Sequence, residues 1–276
     1  MDRRPRFSVI TPCYNAESLI METVESVINQ SAVMDGSVEL EYIICDGGSN
    51  DGTVEKIQRL NHPAIMLFSE PDSGMYHALA KGLAKATGDI VSYINAGDLY
   101  YHKAFSVIQR IMFDTEIKWL TGINVNFNEN SEVTAARLPF RYVRKLILAG
   151  EYGRRLPYIQ QESTFWSSEL NECLDLERLS SYRLAGDYYL WHSFSRSGYE
   201  LSVVESFLGG FKTHTHQLSS ALQNYILEKD RIAPGGWMCS VWAIFELIGW
   251  FFPVKLKKRF NRRGLLRFDS GTGEWR

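Results

Sequence analysis

Three apolar runs in the first hundred residues each stop at polar, turn-forming residues, and this repeated boundary constrains the fold more than any other feature of the chain. Phe7 to Ile10 runs into Thr11-Pro12-Cys13-Tyr14-Asn15. Tyr42 to Cys45 runs into Asp46-Gly47-Gly48-Ser49-Asn50-Asp51-Gly52. Tyr93-Ile94 runs into Asn95-Ala96-Gly97-Asp98. Between the runs, apolar residues recur at helical spacing: Leu19, Ile20, Val24, Val27 and Ile28, then Ala78, Leu79, Gly82, Leu83 and Ala86. Strands alternating with helices imply βαβ units and a parallel sheet. In an open α/β sheet, ligands bind where strand C-termini meet loops. Three loops therefore converge on one edge, and two of them carry an aspartate.

The pattern predicts strands at 7–10, 41–45, 64–68 and 90–94, with helices at 16–29, 53–60 and 75–86. Asn15 is the expected cap of the first helix, and Gly88 a stop for the third. Beyond residue 105 the rhythm loosens. A helix is expected at 103–113, a strand at 119–125, a loop at 126–131 and a basic amphipathic helix at 141–149. A strand at 163–166, a helix at 186–195 and short strands at 201–205 and 208–213 follow.

Composition excludes some classes. A net charge of -2 gives no support for nucleic-acid binding. The four cysteines have no metal-type pairing and read as free thiols of a reducing cytoplasm. A strand within seven residues of the N-terminus leaves no room for a signal peptide. No Gly-x-Gly-x-x-Gly, no Gly-Lys-Ser/Thr loop and no Gly-x-Ser-x-Gly elbow is present.

The segment 237–254 is nearly apolar, with Glu246 its only charge, and Lys255, Lys257, Lys258, Arg259, Arg262 and Arg263 follow it. Its 18 residues sit at the lower limit for crossing a bilayer, which takes roughly 20. Aromatic richness with flanking cations suits a helix lying in the membrane interface. A helix packed on the domain, or a dimer contact, is the alternative.

Local chemistry leaves several residues with two readings. Asp46 can accept hydrogen bonds from a base or ribose, or can close an Asx turn on its own loop. Asp98 offers an oxygen to Mg2+ or Mn2+, or caps a helix starting near Tyr100. Asp187 opens an apolar helix as either cap or base. His214 and His216 would share a strand face, as metal ligands or as a polar strand end.

Taken together and in order, these blocks resemble the family 2 glycosyltransferases. Ser8 to Asn15 looks like that family's opening strand and loop, and Asp46-Gly47-Gly48-Ser49-Asn50-Asp51-Gly52-Thr53 like its Asp-rich second loop. Glu70 to Gly82, then Ala86-Thr87-Gly88-Asp89, resemble the next block. Asn95-Ala96-Gly97-Asp98 stands where the Asp-x-Asp motif would be. The likeness continues more sparsely through Gln161 to Phe165, Ala185 to Tyr188 and Gly209 to Ser219.

The resemblance implies a GT-A fold of α/β class: a nucleotide-binding βαβ half (1–100) with a mixed central sheet, an acceptor half (101–230), and a C-terminal helical, membrane-proximal segment (231–276). It implies an inverting transferase moving a sugar, with UDP the favoured nucleotide, onto a glycan acceptor, polyprenyl-diphosphate-linked if the C-terminal segment meets the inner face of the cell membrane. Thr11, Pro12 and Tyr14 would line the base, and Asp46 would bond to it. Lys81, Asn95 and Gly97 are further donor-side candidates. Asp98 would hold Mn2+ or Mg2+ with His214 beside it, and Asp187 would be the general base. Gln161 and Glu162 are acceptor-side candidates, and Arg154 and Arg155 could meet an acceptor phosphate. The chain departs from the family pattern at Asn95 and Gly97, where the first acids of the metal motif usually stand. A degenerate nucleotide-sugar-binding module and a nucleotidyltransferase are the competing readings.

Overall fold

The computed structural model describes residues 4–213, 222–261 and 264–276. An eight-stranded sheet organises them. Its strands are β1 (Arg6–Cys13), β2 (Glu39–Asp46), β3 (Ile65–Ser69), β4 (Ile90–Tyr93), β6 (Trp119–Thr121), β9 (Thr164–Ser167), β10 (Ser202–Val204) and β12 (Leu265–Leu266). Their order is β12-β10-β6-β9-β4-β1-β2-β3. All neighbours are parallel except β9, which runs antiparallel to both β4 and β6. A smaller sheet, β5-β11-β7-β8, is built from β5 (Leu99–Tyr100), β7 (Asn124–Phe127), β8 (Val133–Arg137) and β11 (Gly209–Lys212).

The sheet is buried on both faces because its side chains alternate between two apolar layers. Phe7 and Val9 of β1, with Tyr42 and Ile44 of β2, face one layer under α1 (Ile20–Ile28), α2 (Ser31–Met34), α3 (Thr53–Arg59) and α5 (Ala104–Asp114). Ile10, Ile43 and Cys45 face the other, under α4 (Met75–Leu83). There Gly82 is needed for close approach, since an added Cβ would run into the Ile10 side chain of β1. That second layer continues into α6 (Arg144–Leu148), α7 (Leu176–Ser180) and α8 (Gly186–Arg196), and centres on Trp119, Trp166, Trp191 and Phe194. Their ring centroids lie 5.4–6.0 Å apart. Full burial of side chains this large contributes about 1.5–3 kcal/mol each.

Three expectations change. The expected first helix is a turn from residue 16 and a helix only from Ile20. Asn15 does not cap it: Asn15 adopts φ +48° and its side chain accepts from the N–H of Asn50 instead. The strand expected at 119–125 is two strands, β6 and β7, in different sheets. Gly122 allows the break, packed so tightly against Leu208 and the Ser206 carbonyl that a side chain would collide. The basic helix expected at 141–149 is the short α6.

The C-terminal part forms α9 (Leu222–Ile232), α10 (Trp237–Trp250) and α11 (Val254–Phe260). Pro253 ends the apolar segment before it can form one long helix. One face of this unit is stitched to the preceding chain. Glu246 pairs with Arg141, Lys229 Nζ donates to the carbonyls of Gly150 and Tyr152, Lys257 Nζ to Leu138 O, and Asn261 Nδ2 to Phe140 O. Leu265–Leu266 then pair with β10 and complete the sheet edge.

Candidate active site

The C-terminal ends of β1 and β4, with the loop after β2, open into one cleft of about 1280 Å³. Pro12 and Tyr14 line it from the first loop, Gly47 from the second, and Asn95 and Asp98 from the third. Gln161, Glu162 and Asp187 line it as well. Residues 150 positions apart in sequence therefore share one cavity.

The first two loops are zipped together by side chains acting on backbone. Asn15 N donates to Ser49 Oγ (2.7 Å), Ala16 N to Thr53 Oγ1 (2.8 Å) and Glu17 N to Asp51 Oδ2 (3.1 Å). Tyr14 is left 61% exposed at the cleft, its ring free to stack. Asp46 is turned into its own loop. It accepts from the N–H of Gly48 and Ser49, from Ser69 Oγ (2.7 Å) and from Ser49 Oγ. Burial opposes its charge, but these hydrogen bonds outweigh burial and hold the carboxyl below its usual range. The Asx-turn reading describes its contacts here. Thr11 is fully buried on Tyr42 Oη and does not reach the cleft. Lys81 also points elsewhere, to Glu70 and the Pro71 carbonyl.

The third loop is a tight turn. Gly97 has φ +106°, a conformation that disfavours any side chain, and its N–H donates to Thr23 Oγ1. The same hydroxyl donates to Asp98 O (2.9 Å). Thr23, a polar residue on the buried face of α1, thus shapes the turn. Asp98 caps no helix: its Oδ1 accepts from Lys212 N of β11 (2.9 Å), because β5 pairs with β11. Its carboxyl lies near enough to that of Glu162 for their charges to act on each other. Burial first, then this neighbour, pushes Asp98 well above its usual range, and burial raises Glu162 too. Two negative charges are therefore disfavoured at this pair unless a positive group lies between them.

Around this pair the donor set is oxygen-rich. Asn95 Oδ1 is buried without a hydrogen-bond partner, and Gln161, 7% exposed, completes no hydrogen bond of normal geometry at either end of its amide. Hard oxygen donors of this kind fit Mg2+ or Mn2+ whose remaining ligands come from phosphates and water. Among the described residues no three of His, Cys, Asp and Glu converge into a protein-only cage. His214 and His216 lie outside the described residues.

Asp187 is the second residue of α8. Its Oδ1 accepts from the next N–H, Tyr188 N (2.6 Å), while Ala185 precedes the helix without a side-chain cap. Burial pushes its carboxyl up to about 7; the Glu162 charge adds to this, and the hydrogen bond from Tyr188 N–H and the Lys229 charge partly oppose it. Tyr76 Oη donates to Leu184 O (3.1 Å), and its ring packs so closely on Gly186 that a Cβ there would collide. Arg154 and Arg155 are engaged by Asp230 and Glu151 and do not line the cleft; Arg137 and Arg183 do. Sequence reasoning passed over those two, and no local pattern around either marks it.

The family model for glycosyl transferase family 2 matches residues 8–161, more than half of the chain. A hyaluronan synthase of Pasteurella multocida is 28% identical over 138 residues, covering 49% of this chain and 14% of that relative's length. Among solved structures, S. aureus TarS 1–349 in complex with UDP-GlcNAc superposes with a TM-score of 0.59 at 14% identity, covering 92% of this chain and 70% of that one. The mannosyltransferase PcManGT of Pyrobaculum calidifontis, in complex with GDP-Man and Mn2+, does so with a TM-score of 0.58 at 21% identity, covering 83% and 64%. On its matched segment and its architecture, the chain belongs to glycosyltransferase family 2 and has the GT-A fold.

Proposed function

We propose that the protein transfers a sugar from a nucleotide-sugar donor to a hydroxyl of a glycan acceptor, with inversion at the anomeric carbon. One observation carries this reading: a single cleft gathers the strand-end loops together with a carboxylate from α8, Asp187. Tyr14 and Pro12 receive the nucleotide base. Asp98, Glu162 and Asn95 would hold a divalent cation, which would supply positive charge to offset the negative charge growing on the departing diphosphate. Asp187 accepts the proton of the acceptor hydroxyl as its oxygen bonds to the anomeric carbon and the bond from that carbon to the diphosphate oxygen breaks. A base whose pKa lies near 7 is well matched to this step at neutral pH. General base assistance contributes roughly 10²–10⁴-fold. Replacement of Asp187 by Asn should keep nucleotide binding and lose transfer, read as UDP released from UDP-sugars; turnover at the wild-type rate would remove Asp187 from the mechanism. UDP is the first nucleotide to test, since TarS was solved with UDP-GlcNAc, and GDP the second, given PcManGT.

The acceptor reading rests on the outer face of α10 and α11. Met238, Trp242, Phe245, Ile248, Phe251 and Phe260 stand exposed along it, with the exposed cations Lys255 and Arg259 in the same segment. Among the described residues no helix is long and apolar enough to cross a membrane. An apolar stripe bordered by cations suits a helix lying flat on an anionic bilayer. Arg137 and Arg183 sit in the cleft where an acceptor diphosphate carried by a lipid would be met. Vesicles of phosphatidylglycerol should co-sediment the protein, and Phe245→Ser with Phe251→Ser should release it; equal recovery of the variant with vesicles would overturn this acceptor reading.

A further inference from the structure

We propose that Glu228 is a positioning residue for transfer: from α9 it holds the turn at 183–185 that sets Asp187 in the cleft. The inference rests on the reading of Asp187 as the base and adds a residue to it from outside the matched segment 8–161. One carboxylate takes three consecutive backbone N–H groups. Glu228 Oε1 accepts from Arg183 N (2.9 Å), and Oε2 from Leu184 N (2.7 Å) and Ala185 N (2.6 Å). These are the three residues before α8 begins at Gly186.

The first N–H groups at and before a helix have no partner within it. No side chain of this turn supplies one, so Glu228 acts as a cap reaching in from 43 to 45 residues away. A carboxylate is suited to this, because it only accepts and has two oxygens to share among three donors. An amide would offer one oxygen and turn an NH2 group toward at least one backbone N–H.

Both sides of the turn are fixed. Opposite Glu228, Tyr76 of α4 grips it through the Leu184 carbonyl and through the ring packed on Gly186. Behind Glu228, α9 is pinned by its neighbours: Lys229 Nζ donates to Gly150 O and Tyr152 O, both at 2.7 Å, and Asp230 pairs with Arg154. The turn therefore has one backbone course, and Asp187, two residues beyond Ala185, inherits its direction from it. Small displacements of a base from its hydroxyl lose rate steeply.

The test compares the full chain with Glu228→Gln, Asp187→Asn and the double variant. UDP release is followed with UDP-glucose, UDP-galactose and UDP-N-acetylglucosamine, UDP binding by calorimetry with Mn2+, and backbone amide exchange by mass spectrometry. Glu228→Gln should bind UDP within about twofold of wild type, speed exchange at 183–187 by at least tenfold, and lower kcat at least tenfold with donor KM unchanged. In the Asp187→Asn background it should cost nothing further, since it acts only through that carboxylate. Unchanged exchange at 183–187 would overturn the proposal whichever donor is used. So would an equal loss of kcat in both backgrounds, or a loss of UDP affinity in step with kcat, which would mark general unfolding. Wild-type turnover by Asp187→Asn would instead remove the base reading, and a slow Glu228→Gln beside it would show action by another route.

Discussion

Asp187 should make the protein less stable at the pH where it works. Burial raises its carboxyl from 3.8 to about 7. Below pH 4 both folded and unfolded chains carry the proton, and the residue costs nothing. As pH rises past 4 the unfolded chain ionises freely, while the folded chain keeps its proton until about 7, so stability is lost across that window and the loss levels off above it. A shift of this size corresponds to at most about 4 kcal/mol, and water reaching the cleft lowers this to on the order of 2 kcal/mol. Asp187→Asn keeps the shape and removes the ionisation. It should therefore melt higher than wild type at pH 8, by roughly 4 °C for a chain of this size, with the gap shrinking toward pH 5. Thermal melting of both proteins across pH 5 to 8 checks this. A variant that melts at or below wild type at pH 8, or a gap independent of pH, would refute the burial argument. Such a trade between stability and function is common at active sites.

Other perturbations test separate links. For the wild type, kcat/KM should rise with pH and reach a plateau above about 7, as Asp187 loses its proton; a profile flat from pH 5 to 8 contradicts the base assignment. Gly186→Ala would force the Tyr76 ring aside and should destabilise by about 1–3 kcal/mol, measured by urea unfolding, while lowering kcat. Arg141→Ala leaves the Glu246 carboxylate, 5% exposed, without its partner and should cost about 2 kcal/mol, loosening α10 first in amide exchange. Thr23→Val strips the partner from Gly97 N–H and should weaken Mn2+-dependent UDP binding without changing the melting temperature by more than a few degrees.

The strands and helices of the first hundred residues were legible because each buries one apolar face at its own period, as Ile10, Ile43 and Cys45 do on one side and Phe7, Val9 and Ile44 on the other. The cleft was legible through the same rule, since Pro12, Tyr14, Asn95 and Asp98 follow strand ends. Local rules did worse where long-range contacts decide. Asn15 looks like a cap, yet Asn50 claims its side chain. Asp98 looks like a cap as well, yet β11 supplies its partner from over a hundred residues away. The closeness of the Asp98 and Glu162 carboxyls and the grip of Glu228 on the 183–185 turn depend on packing that no spacing in the chain announces. The apolar segment at 237–254 showed its composition plainly, but not that Pro253 would break it or that Glu246 would anchor its inner face on Arg141.

Donor recognition is the claim on which the rest depends. Calorimetry of the purified protein with UDP, GDP and dTDP, first with Mn2+ and then with EDTA, addresses it directly. The account predicts that one nucleotide binds at a single site with Mn2+, and that EDTA or Asp98→Asn abolishes the binding. No binding of any of the three with Mn2+, or binding that Asp98→Asn leaves untouched, would contradict it.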